Sequence, residues 1–204
     1  MKKTVTIALL LLSAHVALGQ DDQLIFYKRL YEIGDSINKK GISGSLAPFI
    51  FKTADSLGKE HPAGYLACAA ELAGKQQFNE ASFLYYLGLL RYRYYNATNP
   101  QYKSSEDGAL LGSLDYMVGE ILRSYLQTGL DNYAAILKAS VKYYKANDYV
   151  FYPRANSVIN YNKQADGLSA VIDTMNMNKS RFTEMWAKER KEMEGYINDA
   201  LKKK

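Results

Sequence analysis

The stretch Glu80-Ala81-Ser82-Phe83-Leu84-Tyr85-Tyr86-Leu87-Gly88-Leu89-Leu90-Arg91-Tyr92-Arg93 decides the fold. Ala81, Phe83, Leu84, Tyr85, Leu87, Leu89 and Leu90 leave it no polar face at either the helical or the strand period. At this length it reads as a helix, and a helix that is apolar all round belongs in the interior of a bundle. Opened at Asn79 or Glu80, it runs to about Tyr95, where Asn96–Pro100 breaks it.

Outward from this segment the pattern stays helical. Towards the N-terminus, Pro62 sits at a first helical position ahead of a stripe of Tyr65, Leu66, Ala69 and Leu72, which Gly74 ends. Leu46–Leu57 gives another helix, ended by Gly58. Asp22 caps a helix through Leu24, Phe26, Tyr27, Leu30 and Tyr31, stopped by Gly34, with a loop over 35–45. Towards the C-terminus, Asp107–Leu126 is a long helix closed by Gly129, and Asp131 caps the next. Asn147–Asn162 holds Pro153, several Asn and no helical period, so it reads as a long loop. Two helices finish the chain, at Gln164–Met177 and Arg181–Lys202. The expected architecture is all-α, about seven helices in one domain over residues 20–204.

Residues 61–93 carry a resemblance. With Ala81 at the signature small position, Tyr65, Ala69, Ala81, Tyr85 and Gly88 fall at the large, small, small, aromatic and small positions of a helix pair. The segment resembles one tetratricopeptide or Sel1-like hairpin. Leu72 stands in place of the usual Tyr, the turn glycine comes early at Gly74, and Arg93 stands where Pro is common. There is no second copy at the repeat period. The resemblance implies a helix–turn–helix packing unit and an interaction role, and no catalysis. The stretch from Glu80 to Arg93 also resembles a pattern in exported bacterial proteins, which implies no activity.

The first residues say where the chain goes. Met1-Lys2-Lys3, the apolar run Val5–Leu12 and Ala17-Leu18-Gly19 form a bacterial secretory signal over residues 1–19, with cleavage before Gln20. The run is too short for a resident membrane span, which needs about 20 apolar residues. The expected localisation is periplasmic or secreted. The net charge is +5, or +3 once Lys2 and Lys3 are removed. That is too weak to argue for nucleic acid.

Composition excludes several chemistries. The 204 residues are 48% hydrophobic and 23% charged, with one Cys and two His. A disulfide framework and multi-thiolate metal sites are ruled out, and no cofactor is implied. His15 leaves with the signal, so His61 is the only mature histidine. It lies about 10 Å along a helix from Cys68, beyond the roughly 3 Å reach of a nucleophile–base pair. His61 before Pro62 reads as an exposed helix-start residue. No serine elbow, phosphate loop or calcium loop occurs. Glu71, Glu80, Asp115 and Glu120 on otherwise apolar helices are the carboxylates a glycan hydrolase could use. Glu80 also reads as an acid favouring a helix N-terminus, or as a partner for Arg91 or Arg93.

Tyrosine is the unusual component: 18 residues, clustered with cations and amides. One cluster is Arg91-Tyr92-Arg93-Tyr94-Tyr95-Asn96. The other follows Tyr143-Tyr144-Lys145 and holds Tyr149, Phe151, Tyr152 and Arg154. Tyrosine offers rigid contact area with one polar tip, and arginine adds stacking and forked donors. Arg91, Tyr92, Arg93, Tyr94, Tyr149, Phe151, Tyr152 and Arg154 are therefore the candidate partner-binding residues. The expected function is an exported, non-catalytic interaction protein that binds a protein or cell-envelope partner, for example a periplasmic inhibitor or immunity protein. The alternative is a cell-wall glycan hydrolase with paired carboxylates.

Overall fold

The computed structural model describes residues 20–202, and the expected signal segment lies outside them. Among the described residues there are eight α-helices and no strand: α1 (Gln20–Lys40), α2 (Phe49–Leu57), α3 (Ala63–Gly74), α4 (Phe78–Thr98), α5 (Ala109–Leu126), α6 (Leu130–Ala146), α7 (Val158–Met177) and α8 (Lys179–Lys202). A π-helical turn, Ser104–Gly108, leads into α5, and a short 3-10 turn, Arg154–Asn156, precedes α7.

Helix α4 occupies the centre, packed on by α3, α5, α6 and α7. Its residues Ala81, Phe83, Leu84, Tyr85, Leu87 and Gly88 are buried, as its all-round apolar sequence requires. Helices α3 and α4 form a hairpin joined by a short turn at residues 75–77. Asn79, at the start of α4, anchors a buried polar network. Its Oδ1 accepts from the Tyr125 hydroxyl and from Asn132 Nδ2, both at 2.9 Å, and its Nδ2 donates to the Ser45 carbonyl at 2.9 Å. Asn132 Oδ1 in turn accepts the Gly44 N–H at 2.8 Å. The turn after α1 is thus tied to three helices.

Several boundaries differ from the sequence expectation. Gly34 does not stop α1, which continues to Lys40. A Cβ at Gly34 would stand 2.1 Å from Thr128 Oγ1, so the glycine admits the turn between α5 and α6 at close range. Asn38 Nδ2 donates to the Thr128 carbonyl at 2.8 Å and strengthens the same contact. Together they offset the roughly 1 kcal/mol that glycine costs a helix. The chain turns later, at Gly41 and Gly44, which have φ of 64° and 73°.

The expected loop over 147–162 is shorter. Ser157 caps α7, its hydroxyl accepting from the Asn160 N–H, and the helix starts at Val158 rather than Gln164. Its buried positions, Tyr161, Ala165, Ile172 and Met175, keep a helical spacing. The Asn-rich first turn hides that spacing from a composition-based reading. Pro48 likewise delays α2 from Leu46 to Phe49.

Candidate functional site

The segment 147–157 is where α6, α4 and the turn after α2 converge. Asp148 organises its start: one carboxylate oxygen accepts the N–H groups of Tyr149 at 2.8 Å and Arg154 at 2.9 Å. The Phe151 N–H donates to the Gly58 carbonyl at 2.9 Å. The Tyr149 hydroxyl donates to the Glu60 carbonyl at 2.7 Å, and the Tyr152 hydroxyl to that of Thr98 at 2.8 Å. The Tyr94 hydroxyl donates to the Pro153 carbonyl at 2.8 Å. Each turn of the loop is thereby fixed to a helix or a helix end.

Beneath it lies Arg91, 1% exposed. Its guanidinium stands 5.0 Å from the ring centroids of Tyr65 and Tyr149 and 5.8 Å from that of Tyr143. One Nη donates to the Tyr65 hydroxyl, which itself donates to the Ala54 carbonyl, and the other reaches the Asn147 carbonyl at 3.4 Å. Ala54 and Asn147 lie at the C-terminal ends of α2 and α6. Two negative helix ends and three ring faces thus stand in for the missing carboxylate. Burial still lowers the pKa of Arg91 from its ordinary value, but a guanidinium stays protonated in a protein.

The eight candidate residues therefore divide. Arg91, Tyr92, Tyr94 and Tyr149 are buried and cannot meet a partner while the fold is intact. Arg91, Tyr92, Arg93 and Tyr94 are four successive residues of α4. A helix turns about 100° per residue, so only Arg93 points away from the body. Arg93, Phe151 and Arg154 are exposed, Phe151 at 41%, and Tyr152 is half-buried. The Arg154 guanidinium lies 5.9 Å from the Tyr161 ring. Phe151, Tyr152 and Arg154 thus form a rim of aromatic and cationic side chains carried by the buried tyrosines.

His61 was underestimated by its position before a proline. It is half-buried, not exposed, and its ring meets those of Tyr92, Tyr95 and Phe151 edge-on at 5.3, 5.3 and 5.9 Å. Its Nε2 lies 3.3 Å from Asp107 in the π-helical turn, and its Nδ1 accepts the Ala63 N–H at 3.3 Å. Burial lowers its pKa from 6.5, against the opposing pull of Asp107. Both ring nitrogens are engaged, and the one lone pair of the neutral ring is held by the Ala63 N–H. Proximity in space, not in sequence, assembles this corner, and no local pattern announced it.

Two of the four candidate carboxylates, Glu80 and Asp115, have structural partners. Glu80 accepts the Ala47 N–H at 2.9 Å from the first turn of α4 and does not pair with an arginine. Asp115 is bridged by Arg123 at 3.0 Å and by the Tyr85 hydroxyl. Glu71 and Glu120 are exposed. Cys68 is half-buried, and burial pushes its thiol pKa up.

No protein-family description matches the chain, and no curated protein or solved structure shows significant similarity to it. The residues above are the basis for a functional reading.

Proposed function

We propose that the chain is an exported, non-catalytic helical scaffold that docks a protein partner of the cell envelope, in the manner of a periplasmic inhibitor or immunity protein. The observation carrying this reading is the fixed loop that presents Phe151 and Arg154 to solvent. Its side-chain and main-chain bonds to Glu60, Thr98, Gly58 and Asp148 leave little ordering to be done on binding. An exposed aromatic ring and an exposed guanidinium three residues apart on such a support are the residue types in which binding energy concentrates. The signal-like N-terminus and the tetratricopeptide-like residues of the α3–α4 pair support export and an interaction role.

Capture of partners by residues 20–204 from a bacterial envelope extract tests the reading. Phe151→Ala and Arg154→Ala should each weaken capture by roughly 1–3 kcal/mol, with folding retained. A captured protein retained equally by both variants would overturn the docking surface.

A further inference from the structure

Of the loop's aromatic residues, Phe151 is held least firmly. Tyr149 and Tyr152 each have a hydroxyl bonded to a carbonyl, at 2.7 and 2.8 Å. Phe151 has its main-chain bond to Gly58 and its ring contacts with His61, Tyr95 and Tyr149. We propose that His61 is a protonation-controlled latch on the docking loop, its neutral ring holding Phe151 in place and its protonated ring letting Phe151 go. This inference rests on the reading of residues 149–154 as the docking edge.

The argument is one of donors and acceptors. In the neutral ring, Nδ1 accepts the Ala63 N–H, so the single proton belongs on Nε2, facing Asp107. A second proton can go only on Nδ1. There it sets a ring N–H against a main-chain N–H, two donors head to head. Asp107 can keep its pairing with Nε2, but the Ala63 bond is lost and the ring must turn. Its edge contacts with Tyr92, Tyr95 and Phe151 change with it. Tyr92 and Tyr95 belong to the central helix and stay, so the displacement falls on Phe151.

The surrounding charges do not replace His61 as the titrating group. Asp107 is the carboxylate facing it. Glu60, the preceding residue, lies towards Gly64: its Oε2 is 3.7 Å from where a Gly64 Cβ would stand. Lys59 and Arg93 are exposed, and Lys103 is paired with Glu106 at 2.9 Å. Asp148 is engaged by the Tyr149 and Arg154 amides. The Tyr92 and Tyr95 hydroxyls have their pKa values raised by burial and stay neutral. Burial outweighs Asp107 at His61, so the neutral ring is favoured and takes its proton at lower pH than an ordinary imidazole.

Amide hydrogen exchange on residues 20–204, corrected for intrinsic rates, tests the latch without any partner. Between about pH 7.5 and pH 5, protection of the Phe151 amide should fall about tenfold, with Leu87 in the core unchanged. His61→Asn, whose carbonyl oxygen can replace Nδ1 as the acceptor, should keep Phe151 protected at both pH values. Asp107→Asn removes the attraction for the imidazolium and should move the transition to lower pH. Constant protection in the parent chain, the same loss in His61→Asn, parallel loss at Leu87 or an unmoved transition in Asp107→Asn would each overturn the latch. Failed capture from an extract bears on the docking reading alone.

Discussion

Gly88 lies so close to Tyr65 that a Cβ on the glycine would stand 2.6 Å from the tyrosine's Cβ and 2.7 Å from Leu66 Cδ1. The approach of α3 to α4 is set by this missing side chain. Gly88→Val should force the two helices apart and cost about 1–3 kcal/mol or more, as overpacking a close contact does. A denaturant midpoint that does not move would show that the hairpin tolerates a wider spacing.

Leu84 is wholly buried on the same helix. Leu84→Ala should lower stability by about 2–5 kcal/mol, the range for large-to-small changes in a core that closes poorly around a void. Urea unfolding followed by circular dichroism measures it.

The Tyr65 hydroxyl stands between the Arg91 guanidinium and the Ala54 carbonyl. Tyr65→Phe keeps the ring face but removes the oxygen, leaving a buried Arg91 N–H without its acceptor, while the Ala54 carbonyl keeps the Gly58 N–H. A loss of about 1–3 kcal/mol is expected. Tyr85→Phe is a useful comparison, because Arg123 and Asp115 remain paired there without the phenol.

Tyr149 and Phe151 are two residues apart and should behave oppositely. Tyr149→Ala removes a buried ring beneath the loop and a bond to Glu60, and should cost about 3–5 kcal/mol. Phe151→Ala removes a ring that is 41% exposed and should cost about 1 kcal/mol or less. Thermal melts of the two variants separate a supporting residue from a presented one.

Stability should depend on pH through His61. Its folded-state pKa lies below the ordinary 6.5, so the unfolded chain takes the proton first as the pH falls. The stabilisation from the neutral ring is full above about pH 6.5 and is lost as the pH drops through the lower folded value. In His61→Asn, the part of the stability profile that changes across this window should flatten.

The all-helical architecture and the central place of α4 were legible in the sequence because a continuous apolar segment has only one place to go. Gly34 misled for a physical reason: glycine ends helices, but it also admits close neighbours, and the Thr128 contact that decides between the two is 94 positions away. Half of the tyrosine–arginine surface went inside for a similar reason. Nothing local reveals that Arg91 will find two helix ends and three ring faces instead of water. His61 and Asp107 meet only after α3, α4 and the π-helical turn have assembled. The exposed ring of Phe151, by contrast, was within reach of sequence reasoning, because Pro153 keeps its segment out of a helix.

The first and last of the described helices form a clasp. Arg190 on α8 grips Asp35 on α1 with two bonds of 2.6 and 2.7 Å and covers the Tyr31 ring at 5.0 Å. Lys28 and Asn198 line one groove between the same helices, so α1 and α8 run antiparallel and their outer ends, at Gln20 and Lys202, lie on one side. Tension applied through those two ends peels the clasp open turn by turn, as a zip opens, and loads the Arg190–Asp35 bonds only after the outer turns have parted. Each of the two helices also bears on the body by itself, α1 through Asn38 on the Thr128 carbonyl and α8 through Trp186 stacked on Tyr133. The chain can therefore yield at its periphery under traction while the loop that bears Phe151 stays in place.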